Sequence, residues 1–312
     1  MKISRVVAEY LTFKRSTGMR YRSGYYKLNA FSRRVGDVEI ERVKPNDVLS
    51  FLNGQGPVTA QWHDKFIILK GFYRFAISRR YVASCPLPIA VPKRPPAFVP
   101  HIYSSKEIRG LLDATNVLAS KRSPRERTFK TLLLTLYATG LRISEALALT
   151  LDDVNLSEQL LRVRESKFYK SRLVPIGPKL AEELRRYLEL RSELDFHGKG
   201  DPFFATRRGR RLSYGHVQEM FTEVRAEAGV RRIATARYQP RLHDLRHTFA
   251  IRRLVTWYRE GADVQRLLPK LSTYLGHVDI AATQRYLQMT PELLQEANRR
   301  FENYAALEVS HD

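Results

Sequence analysis

The sequence predicts a mainly α protein of two domains, the second carrying a small antiparallel β-sheet. Apolar residues recur at three- and four-residue steps along most of its 312 residues. Only two β-like runs interrupt that pattern, QLLRVRES at 159–166 and RLVPI at 172–176. The stretch AVPKRPPAFVP, 90–100, is too rich in proline for a packed element. It places a first domain at 1–90, a linker at 91–102 and a second domain at 103–312.

The first domain reads as four helices, at about 2–16, 24–34, 46–53 and 59–80, broken at Gly18, Gly36 and the NGQGP run from Asn53 to Pro57. The first gathers Val6, Val7, Tyr10, Leu11 and Phe13 on one side. The fourth carries Trp62, Phe66, Leu69, Phe72, Tyr73 and Phe75, while Lys65, Lys70, Arg74, Arg79 and Arg80 point elsewhere. A basic face on an aromatic-backed helix suits contact with a DNA backbone, although most charged faces are simply solvated. The second domain opens with a capping box, SSKE at Ser104–Glu107, which starts a helix near Ile108. A long helix at about 124–138 stops at Thr139-Gly140. The two β-like runs form a hairpin around KFYKS, and nearly everything after them reads as helical to Ala306.

Charge narrows the partner. The formal net charge is +22, so a polyanion is the natural ligand, with nucleic acid ahead of a membrane surface. Residues 1–100 hold 18 Lys and Arg against 6 Asp and Glu, the remainder 36 against 26. No run of eighteen apolar residues exists, and MKISRVVAEYLTFKR lacks the apolar core of a secretory signal. The expectation is a cytoplasmic protein, nucleoid-associated when bound to DNA, with no membrane partner. The lone Cys85 has no partner for an internal disulfide, and no Cys/His cluster has zinc spacing. No cofactor or metal is expected.

Four segments concentrate side chains suited to phosphoryl chemistry. Arg142 follows the helix-breaking Gly140, where an arginine can project into a cleft and fork two phosphate oxygens, with Ser144 and Glu145 beside it. His243 and Arg246 in RLHDLRHTFA are three apart and share a helical face, with His247 assigned to a different one. A metal site from His243 and His247 is a weak alternative, because no third ligand suggests itself. Lys167 or Lys170, on the hairpin turn, could protonate a departing oxygen. Finally His277 is followed nine residues later by Tyr286, which sits among polar neighbours. A phenol becomes a nucleophile when nearby cations stabilise its anion and the charge on phosphorus. No Asp/Glu constellation suits two magnesium ions, so metal-free transfer fits best.

Arg142 in TGLRISE, Lys167 before RLVP, HDLRH at His243–His247, and LGH followed by Tyr286 occur in this order over about 150 residues. With these motifs the chain resembles the tyrosine recombinases, the phage-integrase family that includes the Xer proteins, over roughly Tyr103–Phe301. The resemblance implies the tyrosine recombinase fold: a four-helix, SAM-like core-binding domain and a mostly helical catalytic domain. It implies that Arg142, Arg246 and His243 bind the scissile phosphate, with His277 adding a hydrogen bond. Tyr286 would form a 3′-phosphotyrosyl link, Lys167 would protonate the 5′ oxygen, and Glu145 would orient and balance arginine charge. The family turn GKGxKxR reads SKFYKSR here; aligning on RLVP selects Lys167, with Lys170 in reserve.

The implied activity is site-specific recombination without ATP or metal. It would be carried out on a double-stranded DNA site by a homo-tetramer or a hetero-tetramer with related recombinases. The tail PELLQEANRRFENYAAL, 291–307, would dock on a neighbouring protomer. About 100 N-terminal residues leave no room for an additional arm-binding domain. A mobile-element integrase is the leading role. An Xer-type chromosome-dimer recombinase, a catalytically silent accessory subunit and a type IB topoisomerase are the alternatives.

Overall fold

The computed structural model describes residues 1–19, 21–55, 58–95, 98–119, 125–164, 171–192, 201–232, 238–288, 293–299 and 302. The chain divides into two compact units, Met1–Phe98 and Val99–Asp312.

The first unit consists of α1 (Ile3–Ser16), α2 (Arg22–Val35), α3 (Pro45–Asn53) and α4 (Ala60–Ser78). α1 buries Ile3, Val6, Val7, Tyr10 and Leu11. Phe13, assigned to the same face, is instead exposed at the rim and stacks on Phe75 with ring centroids 5.4 Å apart. α3 begins with Pro45 in its first turn, where a missing N–H costs nothing, and Asp47 accepts from the Lys44 amide at 3.0 Å. The four helices close on one core through Leu28, Phe31, Phe51, Trp62, Leu69, Phe72 and Tyr73. The side chains of Lys70 and Arg74 on α4, and of Arg79 and Arg80 just past its end, are exposed. Lys65 departs from that face: its ammonium donates to the Phe51 carbonyl at 2.7 Å and sits over the Phe51 ring.

The second unit contains α5 (Ser105–Asp113), α6 (Arg125–Thr139), α7 (Ile143–Ala148), β1 (Val154–Asn155), β2 (Leu160–Val163), β3 (Arg172–Pro175), α8 (Pro178–Ser192), α9 (Tyr214–Glu227), α10 (Leu242–Arg259), α11 (Val264–Leu275) and α12 (Ala281–Gln284). The capping box forms: Ser104 accepts from the Glu107 amide at 3.1 Å and Glu107 from the Ser104 amide at 2.7 Å. The hairpin strands pair antiparallel as β1-β2-β3, and the two-residue β1 is an addition that the sequence pattern did not reveal. Residues 201–213 are irregular rather than helical, held by the bridges Thr150↔Pro202 and Ala205↔Arg211.

Two apolar clusters support this unit. The larger joins Phe129, Leu132 and Leu136 of α6 to Leu161, Val163 and Val174 of the sheet and to Phe221 of α9. The second joins α10 and α11 through Ile251, Leu254, Leu268 and Leu271, and includes Leu293. Residues 293–299 are helical, and Glu296 accepts from Arg259 at 2.8 Å. The start of the tail therefore packs on its own chain. Among the described residues no helix is long and apolar enough to cross a membrane.

Candidate active site

A helix leaves its last carbonyls without intrahelical partners, at the negative end of its dipole. At the end of α11 three successive carbonyls each accept from a different arginine. Tyr274 O takes Arg172 Nε at 2.9 Å, Leu275 O takes Arg246 Nη2 at 2.6 Å, and Gly276 O takes Arg142 Nη2 at 3.0 Å. α11 ends there because Gly276 turns left-handed at φ +67°. A side chain at Gly276 would displace the arginine, because an added Cβ would lie 2.6 Å from Arg172 Nη1.

Arg142 stands at the N-cap of α7, immediately after α6 has stopped. Buried Thr135 and Thr139 return their hydroxyls to the carbonyls four residues earlier, at 2.8 and 2.6 Å. Gly140 then adopts φ +62°, and an added Cβ would meet the Phe249 ring at 2.6 Å. Its carbonyl accepts from Arg246 Nη1 at 2.7 Å. Arg142 Nη1 donates to Glu145 Oε1 at 2.7 Å, while the Glu145 carboxylate also takes both Nη groups of Arg172, at 3.1 and 2.8 Å. Burial alone would raise the Glu145 pKa; hydrogen bonds and charge from Arg172, then from Arg142, overcome it and hold the group at about 2.

Arg172 was not singled out from the sequence, although a signal existed. β3 alternates, with Val174 buried within it and Ile176 buried just past its end, so Arg172 is in the inward phase. Its cross-strand partner Val163 is buried as well. An arginine at an inward strand position needs buried acceptors, and Glu145 and Tyr274 O supply them.

α10 presents His243, Arg246 and His247. Arg246 is 2% exposed and spans the chain between Gly140 O and Leu275 O. Burial, then Arg142, lowers its pKa to about 10, so it remains a cation at neutral pH. His243 is open to solvent on one side but crowded by protein on the other. That crowding, followed by Arg246 and Arg241, lowers its pKa. The assignment of His247 to a different face is corrected: residues four apart share a face, and the two rings meet edge-on with centroids 4.9 Å apart. Burial and then His243 lower the His247 pKa to about 4.

Tyr286 is also corrected. Polar neighbours in the sequence suggested an unburied phenol, yet it is 3% exposed. α12 is a single turn, and the 3₁₀ turn Arg285–Gln288 that follows folds Tyr286 back into the α10–α11 cluster. The ring lies 5.5 Å from His247 and 6.1 Å from His277. Burial raises its pKa, partly offset by the charge of Arg246 and by a hydrogen bond with it. His277 follows Gly276; burial, then Arg246 and Arg142, lowers its pKa to about 4. Lys167 and Lys170 lie outside the described residues.

Arg142, Glu145, His243, Arg246, His277 and Tyr286 thus come together around one helix end. Guanidinium donors held by carbonyls, neutral imidazoles and a phenol in the field of nearby arginines can bind a phosphate and attack it. Fold and site together define a mostly helical protein whose arginines, imidazoles and buried tyrosine are gathered at one helix end.

Residues 103–292 match the phage integrase family model. A Sinorhizobium fredii protein named as an integrase/recombinase, y4rB, is 35% identical, covering 95% of this chain and 96% of its own. The tyrosine recombinase XerC of Chlorobaculum parvum is 32% identical over 87% of this chain and 82% of its own. The Tn1549 transposon integrase in complex with transposon right end DNA shares the fold, with TM-score 0.72, 17% identity, and coverage of 98% of this chain and 100% of that one. The chain belongs to the phage integrase family and is a tyrosine recombinase, an enzyme of site-specific DNA recombination.

Proposed function

We propose that Tyr286 attacks a phosphodiester of double-stranded DNA held by Arg142, Arg246 and His243. The bond from Tyr286 Oη to phosphorus forms as the bond to the 5′ oxygen breaks. The phenolic proton passes to water, the 5′ oxygen gains one from the Lys167 ammonium, and a 3′-phosphotyrosyl link conserves the ester for rejoining. His277 donates to a non-bridging oxygen, and Glu145 keeps the arginines in place. The observation that carries this reading is the fixing of three guanidinium groups on consecutive carbonyls, with the charge of Arg246 favouring the Tyr286 phenolate. A field fixed in advance does not have to reorganise as charge develops.

Arg142→Lys and Arg246→Lys test the clamp, since lysine keeps charge but loses the fork. Cleavage should fall by roughly a hundredfold or more. Binding in a gel-shift assay should hold, because the basic surface supplies most of the affinity. Loss of binding in step with cleavage would refute the clamp.

The enzyme works, on this reading, as a tetramer on DNA that recombines a mobile element, with the exposed Leu294 among the docking residues of its tail. The integrase/recombinase name of the 35% identical relative supports the mobile-element role. The XerC relative favours chromosome-dimer resolution as the second reading. Sequencing the recombinant junctions made from the native locus separates them: element ends joined to new flanks, or multimers resolved at one repeated site.

A further inference from the structure

Thr283 is fully buried in the single turn of α12, six residues after His277. Its Oγ1 lies 2.6 Å from His277 Nδ1. Among the described residues that nitrogen is the only hydrogen-bond partner of the hydroxyl. A buried hydroxyl has one proton to donate, and leaving that bond unmade is costly. If Nδ1 carried the ring proton, it would donate to Oγ1 and strand the hydroxyl proton. With Nδ1 bare, the hydroxyl donates to it, both groups are satisfied, and the ring proton sits on Nε2.

We propose that Thr283 is a positioning residue that fixes His277 as its Nε2–H tautomer, so that the outer ring nitrogen donates to a phosphate oxygen. Tautomer matters here because burial and three neighbouring arginines keep the ring uncharged at neutral pH. An uncharged imidazole has one donor and one acceptor, and the wrong choice would turn a lone pair toward an anion. The same hydrogen bond holds the ring close to parallel with Tyr286, at an interplanar angle of 25°. A threonine in a short polar turn would otherwise face solvent; its complete burial against one imidazole is what singles it out.

The inference rests on His277 being the phosphate donor, and the two fail separately. Long-range proton–nitrogen spectra of the full-length protein labelled with ¹⁵N-histidine, at pH 7, report the tautomer without DNA; the signals missing from His277→Gln assign it. Wild type should show Nε2–H with a hydrogen-bonded Nδ1. Thr283→Val should lose the hydrogen-bonded shift of Nδ1, and Thr283→Ser should restore it. A proton on Nδ1 in wild type overturns the proposal. On nicked duplex fragments of the native locus, Thr283→Val should cleave about tenfold more slowly, the effect of one hydrogen bond, with unchanged gel-shift affinity and recovery in Thr283→Ser. Cleavage by Thr283→Val at the wild-type rate, with His277→Gln impaired, would remove Thr283 from the mechanism. Wild-type cleavage by His277→Gln would instead remove His277 while leaving the tautomer assignment to the spectra.

Discussion

Glu145 is a carboxylate buried between two guanidinium groups, and at 8% exposure it has little water to fall back on. Glu145→Gln removes the charge that both arginines share and leaves two half-buried cations uncompensated. It should cost about 3 kcal/mol in urea unfolding; a loss within experimental error would show that the arginines do not need it. The imidazoles give a pH signature. His247 and His277 both have folded pKa values near 4, below the 6.5 of a free imidazole, so the unfolded chain takes up protons first. Their stabilisation is fully present above pH 6.5 and is lost as pH falls through about 4. Each is worth on the order of 1 kcal/mol after solvent screening. Glu145 adds a second loss between pH 4.5 and about 2. A His247→Gln, His277→Gln variant should flatten the urea midpoint between pH 6.5 and 4, whereas an unchanged slope would contradict the assignment. Arg142, Glu145, His243, Arg246, His277 and Tyr286 were named from the sequence through the order of their motifs and the resemblance to tyrosine recombinases that it implies. The sequence could not show that Tyr286 is buried, because burial there depends on a 3₁₀ turn returning to α10.

At the scale of elements, the C-terminus of α11 does the positioning. Gly276→Ala puts a Cβ against Arg172 at a backbone position with φ +67°. The Arg172 side chain is held by Glu145 and Tyr274 O and has little freedom to yield. The variant should lose about 1–2 kcal/mol of stability and more of its cleavage rate than its binding, compared by single-turnover assay and gel shift. Equal activity would mean the turn is not tightly specified. Most elements were legible from local signals: the Ser104–Glu107 box, the Thr139-Gly140 stop, and alternation in 160–163 and 172–175. β1 was not, since two residues carry no period. Arg172 was overlooked because the charge of an inward strand residue looks ordinary until its acceptors, 27 and 102 positions away, are known.

For the whole molecule, net charge of +22 dominates association with DNA. Exposed Lys70 and Arg74 on α4, and exposed Arg207, Arg208 and Arg210 in the second unit, offer phosphate partners in both units. Affinity should fall by roughly a thousandfold between 50 and 200 mM salt. Replacing Arg207, Arg208 and Arg210 by serine should reduce the logarithmic salt slope by about one for each phosphate no longer neutralised. A flat titration would contradict electrostatic grasp. The structure divides the 312-residue chain between Phe98 and Val99, and the proline-rich segment was read as a linker at 91–102.

Covalent capture tests the central claim most directly. Wild type and Tyr286→Phe are incubated with nicked fragments of the native locus, denatured, and any attached DNA is sequenced. Adducts from wild type alone, at one position and through a 3′ phosphate, are the predicted result. Adducts that persist in Tyr286→Phe, or none from either protein on DNA that both bind, would contradict it and return Tyr286 to the role of a packed aromatic.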